Sequence, residues 1–280
     1  MQKRVMAIHD ISGFGRCSLT VALPIISACG IETVCLPTAV LSTHTGGFTG
    51  YTYNDLTGDI MPIFEHWKSL GLEFDAIYSG FLGSFEQIEM VSEIFEYYKS
   101  KGSFIAVDPV MADNGELYKI YSPDMAKGMA GLCRYADLLV PNITEACLML
   151  NKEYIAKDYN KEYIEDLLLG LIDMGASKAV LTGVSFEDGK LGAASLDKSD
   201  GKVRYCFTEQ IPGYFHGTGD VFGSALVSAV LKGKTLAESA SIAANFTVGA
   251  IKRTVAADTD RRFGVNFEEG LIALANEVNS

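Results

Sequence analysis

The chain has 280 residues, of which 48% are hydrophobic, and a formal net charge of -12 at pH 7. This length and apolar content suffice for a full hydrophobic core, and because no low-complexity or linker segment interrupts the sequence, we expect a single domain over residues 1–280. The negative charge comes without a basic stripe, which excludes the usual nucleic-acid-binding proteins.

Short apolar runs rich in β-forming residues alternate with amphipathic stretches over most of the chain. The predicted strands are residues 5–9, 32–36, 76–79, 103–107, 137–140 and 178–182. The predicted helices are residues 19–29, 86–101, 123–132, 144–151 and 162–175. This alternation is typical of an α/β fold in which helices cover both faces of a mostly parallel sheet.

The last third of the sequence follows a different pattern. Residues 189–195 and 202–208 predict an antiparallel hairpin around Ser199-Asp200-Gly201, appended at one edge of the sheet. Beyond the hairpin the chain is almost wholly helical, beginning with an amphipathic helix over residues 221–232.

A glycine-rich segment, Gly217-Thr218-Gly219-Asp220, directly precedes this amphipathic helix. Main-chain N–H groups are unpaired at a helix N-terminus, and glycines let an anion approach them closely. A carboxylate beside a bound phosphate is suited to accept the proton of an attacking hydroxyl. The alternative for this segment in isolation is a turn followed by a helix cap.

Polar residues follow several of the predicted strands, where ligands bind in open parallel sheets. Asp108 and Asp113 follow the fourth strand, and Glu145 follows the fifth. Clustered carboxylates at one sheet edge suit a hydrated Mg²⁺ that carries nucleotide phosphates. Each residue taken alone is also compatible with a strand end or with helix-start charge.

The segment Gly13-Phe14-Gly15-Arg16-Cys17-Ser18 lies between a strand and a helix, as a dinucleotide-binding loop does. Ser18 stands where the third glycine of that fingerprint belongs, and Glu32 begins the next strand, although an acidic residue should end it. The pattern therefore argues against a dinucleotide-dependent dehydrogenase.

The cysteine pattern and the short apolar runs both indicate a cytoplasmic protein. The six cysteines, at positions 17, 29, 35, 133, 147 and 206, contain no CxxC pair, so structural thiols are favoured over zinc ligands or disulfides. The apolar runs are far too short to cross a bilayer, and the first residues lack a signal-peptide core. We expect a cytoplasmic protein without a membrane partner.

Over about residues 5–255 the chain resembles the ribokinase superfamily and, within it, the pyridoxal (vitamin B6) kinases. The resemblance implies a three-layer α/β/α ribokinase-like fold with no separate lid domain. Gly217-Thr218-Gly219-Asp220 is similar to the superfamily signature. By this resemblance Gly217, Thr218 and Gly219 form an anion hole, and Asp220 is the catalytic base.

Two further motifs of the resemblance concern the nucleotide. Asp108-Pro109-Val110-Met111-Ala112-Asp113 is similar to the DPVxGD element beside Mg²⁺ and the triphosphate, and Pro141-Asn142 with Glu145 resembles the PNxxE element. The residues that the resemblance places at the nucleotide are Asp108, Asp113, Asn142, Glu145 and Thr182. It places Asp108, Asp113 and Glu145 at the metal.

A further motif of the resemblance concerns the phosphoryl acceptor. It is Ser42-Thr43-His44-Thr45, which resembles the SNHT element of pyridoxal kinases. The resemblance implies substrate contacts by Ser12, His44, Thr45 and Phe81. Two features depart from the pyridoxal kinase pattern. Phe81 is at a position where many pyridoxal kinases have Tyr. Residues 9–15 are similar to the GSDxSGGAG segment at the start of hydroxymethylpyrimidine kinases. Neither residues 112–121 nor residues 214–220 contain a cysteine, so no thiohemiacetal with a substrate aldehyde is expected.

The resemblance implies direct transfer of a phosphoryl group from MgATP to the hydroxymethyl group of a B6 vitamer. It implies ATP and Mg²⁺ as cofactors, leaves open a monovalent cation such as K⁺, and implies a homodimer. The loop over residues 113–121 is the predicted closing flap, and adenine is expected beside residues 248–251.

Three alternatives remain for the function. The first is a hydroxymethylpyrimidine kinase, which shares the fold and the base. The second is a non-catalytic small-molecule-binding protein on the same scaffold. A sugar kinase is less favoured, because residues 36–76 offer only a loop and a helix where such enzymes insert a β-sheet lid.

Overall fold

A twisted sheet organises the computed structural model, which describes residues 2–119 and 121–280. Within these residues the sheet has nine strands in the order β11-β10-β9-β8-β5-β4-β1-β2-β3. Their bounds are β1 Arg4–Phe14, β2 Glu32–Thr43, β3 Tyr53–Asp55, β4 Ala76–Ser79, β5 Phe104–Val107, β8 Leu138–Leu139, β9 Lys178–Val184, β10 Lys190–Asp197 and β11 Lys202–Glu209. A separate two-stranded hairpin is formed by β6 Ala112–Asp113 and β7 Glu116–Leu117.

The six inner strands, from β9 to β2, pair in parallel. Strands β3, β10 and β11 join the two edges in antiparallel pairing. The carboxyl ends of β1, β2, β4, β5, β8 and β9 therefore meet at one edge of the sheet, which we call the upper edge.

Helices cover both faces of the sheet. Their bounds are α1 Leu19–Ala28, α2 Thr57–Ser69, α3 Phe85–Ser100, α4 Pro123–Cys133, α5 Ile143–Leu150, α6 Lys161–Asp173, α7 Thr218–Leu231, α8 Leu236–Ala256 and α9 Leu271–Asn279. One apolar core packs α2 to α6 against the sheet, and the other packs α1, α7, α8 and α9 against the opposite face. Two short 3₁₀ turns, Arg261–Phe263 and Glu268–Gly270, connect α8 to α9.

The predicted α/β fold with a mostly parallel sheet is confirmed, and the hairpin of β10 and β11 lies at the predicted edge. Three details of the sequence prediction were wrong. Strands β1 and β2 run several residues beyond the predicted 5–9 and 32–36, so that Ser12 and Ser42 lie within strands. Strand β3 and the β6–β7 hairpin were missed.

The missed strand has a physical explanation. All three residues of β3, Tyr53, Asn54 and Asp55, are exposed, so no alternation of apolar and polar side chains marks the strand. It pairs only with Ala39, Val40 and Leu41 at the end of the sheet. No helix of the described residues is long and apolar enough to span a bilayer.

Candidate active site

The N-terminus of α7 lies at the upper edge of the sheet and begins inside the glycine-rich segment. Gly217 is the N-cap residue, with φ 75°, and no side chain caps the helix. The first main-chain N–H groups of α7 therefore remain available to an anion, as the sequence pattern predicts. Gly217 packs against the main chain of Arg16 and within reach of Cys17 Sγ, which leaves no room for a side chain at this position.

Asp220 is in the first turn of α7 and is partly buried. Burial raises the pKa of its carboxyl group to about 7, and the negative charge of Asp10 acts in the same direction. The main-chain N–H of Ser18 lies beside the carboxylate and lowers the pKa in part. A carboxyl group with a pKa near neutrality is matched to the task of a general base.

Asp108 follows β5 and reaches the same helix end. Its Oδ2 lies 4.0 Å from the position that a Cβ atom on Gly219 would take. The residue is only 7% exposed, and burial, followed by the charges of Glu145 and Asp220, raises its pKa well above the ordinary value. None of the ion pairs among the described residues includes Asp108, Asp220 or Glu145. In the part of the chain that the structure describes, these three carboxyl groups thus have no basic side chain within ion-pair distance.

Glu145 has a different environment from the one that the sequence suggested. Its Oε1 accepts hydrogen bonds from the N–H groups of Met111 at 3.0 Å and Ala112 at 3.4 Å, and its Oε2 accepts one from Asn142 at 2.9 Å. Asn142 in turn caps α5 by accepting from the Glu145 N–H group at 2.9 Å, which completes a capping box. Both oxygens of Glu145 are therefore used to join two loops at the upper edge.

Burial raises the pKa of Glu145 to about 8, although these main-chain donors oppose the rise. Asp113 lies in the β6–β7 hairpin, where its carboxylate accepts from the main chain and side chain of Asn114. No three His, Cys, Asp or Glu side chains of the described residues stand close enough to hold a metal ion jointly. Asp108, Asp113 and Glu145 thus form no preformed three-carboxylate cluster, because Glu145 and Asp113 accept hydrogen bonds from other groups. Their role at a hydrated Mg²⁺, with Glu145 acting through water, stays a prediction.

Thr182 and Asn142 lie side by side where β9 leaves the sheet. The two residues form an isolated parallel bridge, and the Thr182 N–H group donates to the Pro141 carbonyl at 2.9 Å. The Thr182 hydroxyl donates to the same carbonyl at 3.4 Å. Thr182 is partly exposed at the upper edge, on the side of the cleft that the sequence assigned to the nucleotide.

The acceptor-side residues come from three separate segments. Ser12 is buried on β1, and Phe81 follows β4 with its ring 5.9 Å from that of Tyr121. The Tyr121 hydroxyl donates to the Leu82 carbonyl at 2.6 Å, which fixes the Phe81 loop. Thr45 is exposed in the loop after β2.

His44 in the same loop is buried and both of its ring nitrogens are occupied. Nδ1 accepts from the Gly46 N–H group at 3.1 Å, so Nε2 is the protonated nitrogen that donates to the Arg262 carbonyl at 2.6 Å. Burial also lowers the pKa of His44. The imidazole is therefore neutral and joins the loop after β2 to the 3₁₀ turn Arg261–Phe263, and its nitrogens have no free position for a substrate.

Aromatic side chains surround this junction, and sequence analysis missed them. The rings of Phe14 and Phe263 lie 4.9 Å apart, and the ring of Phe48 lies 5.0 Å from that of His44. His216, directly before the glycine-rich segment, lies 5.0 Å from His44. The position of His216 beside Gly217 was the only available signal in the sequence, because Phe263 is remote along the chain.

Asp10 and Ser18 were missed as well. Asp10 is 5% exposed on β1, and the Ser18 hydroxyl donates to its Oδ1 at 2.6 Å. Both residues belong to polar stretches noted in the sequence, but nothing in the linear order indicates that they meet beside Asp220.

The predicted flap begins as the β6–β7 hairpin. Asn114 and Gly115 form its turn, with φ 51° and 83°, and the Gly115 N–H group donates to the buried Thr144 hydroxyl at 2.9 Å. Residue 120, within the predicted flap of 113–121, lies outside the described residues.

Comparison with known proteins gives a consistent result. The family model described as phosphomethylpyrimidine kinase matches residues 23–263. A Staphylococcus aureus protein provisionally named pyridoxine kinase is 30% identical over 209 residues, which cover 71% of each chain.

Two solved structures resemble the whole chain. A Bacteroides thetaiotaomicron protein, provisionally described as a phosphomethylpyrimidine kinase and crystallised with pyridoxal, has a TM-score of 0.93 and 36% identity and covers 98% of this chain and 96% of its own. Pyridoxal kinase from Lactobacillus plantarum has a TM-score of 0.88 and 31% identity, with coverage of 99% and 97%. The family match spans most of the chain, so the chain belongs to the phosphomethylpyrimidine kinase family of ribokinase-like small-molecule kinases.

Proposed function

We propose that this protein transfers the γ-phosphoryl group of ATP to the 5′-hydroxymethyl group of pyridoxal, pyridoxine or pyridoxamine. The observation that carries the proposal is that the N-terminus of α7, which no side chain caps, includes Asp220, a carboxyl group whose pKa burial raises to about 7. The likeness to the pyridoxal-bound Bacteroides protein and to the Lactobacillus pyridoxal kinase supports a B6 vitamer as the acceptor.

In this proposal Asp220 accepts the proton of the acceptor hydroxyl as its oxygen approaches phosphorus. The N–H groups at the start of α7 hold the transferred phosphoryl group, whose charge redistributes in the transition state. Gly217 and Gly219 permit this close approach because neither carries a side chain. Positioning and electrostatics supply most of the acceleration, and no phosphorylated enzyme intermediate is required.

Asp108 is the residue best placed to hold Mg²⁺. Its carboxylate accepts no hydrogen bond from the described residues, is nearly buried, and faces Asp220 and Glu145, so the site lacks a positive charge. The carboxyl groups of Asp108, Asp220 and Glu145 offer oxygen atoms, which Mg²⁺ prefers, usually with several waters retained. Bound Mg²⁺ would neutralise charge on the phosphates. Glu145 holds the loop that follows Asp108 and, in this proposal, would contact the metal through water. Asn142 supports Glu145 through the capping box.

In this proposal the adenine base lies beside the second half of α8, around residues 248–251. Lys252 pairs with Glu209 at 2.7 Å, which brings this part of α8 to the upper end of β11, on the same side as Thr182. The β6–β7 hairpin is the flap that excludes water during transfer.

The second candidate function is phosphorylation of hydroxymethylpyrimidine. The matching family model carries the name of phosphomethylpyrimidine kinase, and residues 9–15 lean toward the start of those enzymes. The reaction and the base would be unchanged, because only the ring in the acceptor pocket differs.

The assembly and compartment follow from the same resemblance. We propose a cytoplasmic homodimer, as in the B6 kinases that the sequence resembles. Sedimentation equilibrium of the full chain tests the dimer, since a monomer at micromolar concentration would contradict it.

The test of function is an ATP-consumption assay with pyridoxal, pyridoxine, pyridoxamine and hydroxymethylpyrimidine in parallel, with mass spectrometry of every product. Phosphorylation of the B6 vitamers supports the first proposal, and phosphorylation of the pyrimidine alone supports the second. Absence of turnover with all four, while ATP still binds, would instead favour a non-catalytic binding protein.

A further inference from the structure

Asp10 is a fixed, buried carboxylate in the acceptor pocket. The Ser18 hydroxyl donates to Oδ1 at 2.6 Å, and the Ser12 hydroxyl donates to Oδ2 at 3.1 Å. The pairing register of β1 with β2 shifts between His9 and Ile11, so Asp10 stands at an irregularity of the sheet. Irregularities of this kind occur next to active sites, where they re-aim a side chain.

Ser18 donates its hydrogen bond to Asp10 from a strained backbone conformation. Its backbone has φ 53° and ψ -128°, which a residue other than glycine rarely adopts. Strain of this kind persists only where the surrounding structure imposes it. Here the hydroxyl of Ser18 contacts Asp10 and its main-chain N–H group lies beside Asp220, so one strained residue links the two carboxylates.

The surroundings of Asp10 supply no positive charge. Asp220 on α7, Cys17 before α1, Tyr53 on β3 and Tyr121 are the acidic groups that experience its charge. None of the ion pairs in the described part of the chain includes Asp10. The basic side chain that faces it is His44, whose imidazole is neutral because Nδ1 accepts from Gly46.

A carboxylate offers about four acceptor positions, and the two serine hydroxyls use two of them. A buried carboxylate without a counter-charge is costly, whereas a charged donor delivered by a ligand would make the stronger kind of hydrogen bond. The pocket is therefore complementary to an acceptor ring that brings its own N–H group or positive charge. A ring without such a donor would leave Asp10 unpaired.

We propose that Asp10 is the specificity-determining residue of the acceptor pocket and selects heteroaromatic alcohols that carry a ring N–H⁺ or another N–H donor. Ser18 is the positioning residue that holds Asp10 toward the ring. This inference rests on the proposed function, because it assigns the part of the acceptor that the same site recognises.

The test is a calorimetric titration in the presence of a non-hydrolysable ATP analogue. Two ligands are compared, namely pyridoxine and its carbocyclic analogue, in which a C–H group replaces the ring nitrogen. Wild-type protein should bind pyridoxine at least about tenfold more tightly, the lower range for a hydrogen bond to a charged group. Asp10→Asn should lose about 10- to 100-fold in affinity for pyridoxine and less than about threefold for the analogue.

Ser18→Ala should lower the affinity for pyridoxine less than Asp10→Asn does, because the carboxylate remains and keeps the hydrogen bond from Ser12 but loses the one from Ser18. The matched control is Asp124→Asn, an exposed carboxylate on α4, which should bind both ligands as wild type does. Affinity for the ATP analogue should stay unchanged in Asp10→Asn, which separates a local effect from misfolding.

Equal losses for the two ligands in Asp10→Asn, or no loss for either, would overturn the inference. Equal affinity of the wild-type protein for the two ligands would overturn it without any variant, so a misfolded variant cannot leave the question open. Failure of the proposed function has a different signature, because the wild-type protein would then phosphorylate none of the B6 vitamers with ATP, whatever affinities the titration gives.

Discussion

Gly217 lies directly on the main chain of Arg16, where a Cβ atom added to Gly217 would stand 1.9 Å from the Arg16 carbonyl oxygen. The contact joins the N-terminal end of α7 to the loop before α1. It explains why the first glycine of the segment is required, because the position demands both φ 75° and the absence of a side chain.

We therefore expect Gly217→Ala to destabilise the protein by more than the roughly 1–2 kcal/mol of a left-handed residue alone. The matched control is Gly201→Ala, since Gly201 has φ 64° but no atom within 4 Å of the added methyl group. Urea unfolding of both variants measures the difference. Equal destabilisation would show that the Arg16 contact has no energetic importance.

The capping boxes of α5 and α8 provide a second prediction. Glu145 in the box of α5 is 3% exposed and accepts three main-chain N–H groups, whereas Glu238 in the box of α8 is on the surface. Glu145→Gln should cost about 1–3 kcal/mol in stability, because buried donors lose an acceptor. Glu238→Gln should cost less.

Thermal unfolding of the two variants measures this difference, and the Mg²⁺ dependence of turnover should weaken only for Glu145→Gln. An equal loss of stability in both variants would contradict the proposed role of Glu145, which is to link the loop after β5 to the loop before α5.

The link from His44 to Arg262 leads to a third prediction. His44→Phe keeps a ring in place but removes both hydrogen bonds, so the 3₁₀ turn over Arg261–Phe263 loses its connection to the loop after β2. We expect protease cleavage in that region to accelerate and the KM for the acceptor to rise about tenfold, with little change in the KM for ATP. A rise confined to the KM for ATP would refute this placement of the acceptor pocket.

The raised pKa of Asp220 predicts how stability varies with pH. Burial raises it from 3.8 to about 7, so between these values the folded chain keeps a proton that the unfolded chain has released. The free energy of unfolding should therefore fall as pH rises through this window. Asp220→Asn removes this contribution and should be more stable than wild type at pH 8 by on the order of 1 kcal/mol or more, with a smaller difference at pH 5.

Urea unfolding at the two pH values measures the effect, with Asp124→Asn as an exposed control. A constant difference between Asp220→Asn and wild type at both pH values would mean that the Asp220 carboxyl group is not held in its neutral form by burial.

The sequence predicted those parts of the site that are contiguous along the chain. The glycine-rich segment and the strand-end residue Asp108 lie where the pattern placed them, because a helix start and a strand end are local features. The hydrogen bonds that Glu145 accepts from Met111 and Ala112 could not be predicted, because these main-chain N–H groups come from another loop. The contact between His44 and Arg262 spans 218 positions, and no local pattern predicts it.

The strained backbone of Ser18 could not be predicted from the sequence for a related reason. In the sequence, Ser18 was notable only as a residue that breaks a dinucleotide-binding fingerprint. Its actual neighbours, Asp10 and Asp220, come from β1 and α7, and they are brought together only by the packing of α1 and α7 on one face of the sheet.

The most direct test of the account is the pH dependence of pyridoxine phosphorylation by wild type and Asp220→Asn. For wild type, kcat/KM should rise through a pKa of about 7, because Asp220 must be deprotonated to accept the hydroxyl proton. Asp220→Asn should still bind pyridoxine and ATP but lose about 10²- to 10⁴-fold in kcat, and this rise should disappear. Unchanged turnover, or the same rise in the variant, would remove Asp220 from the role of base.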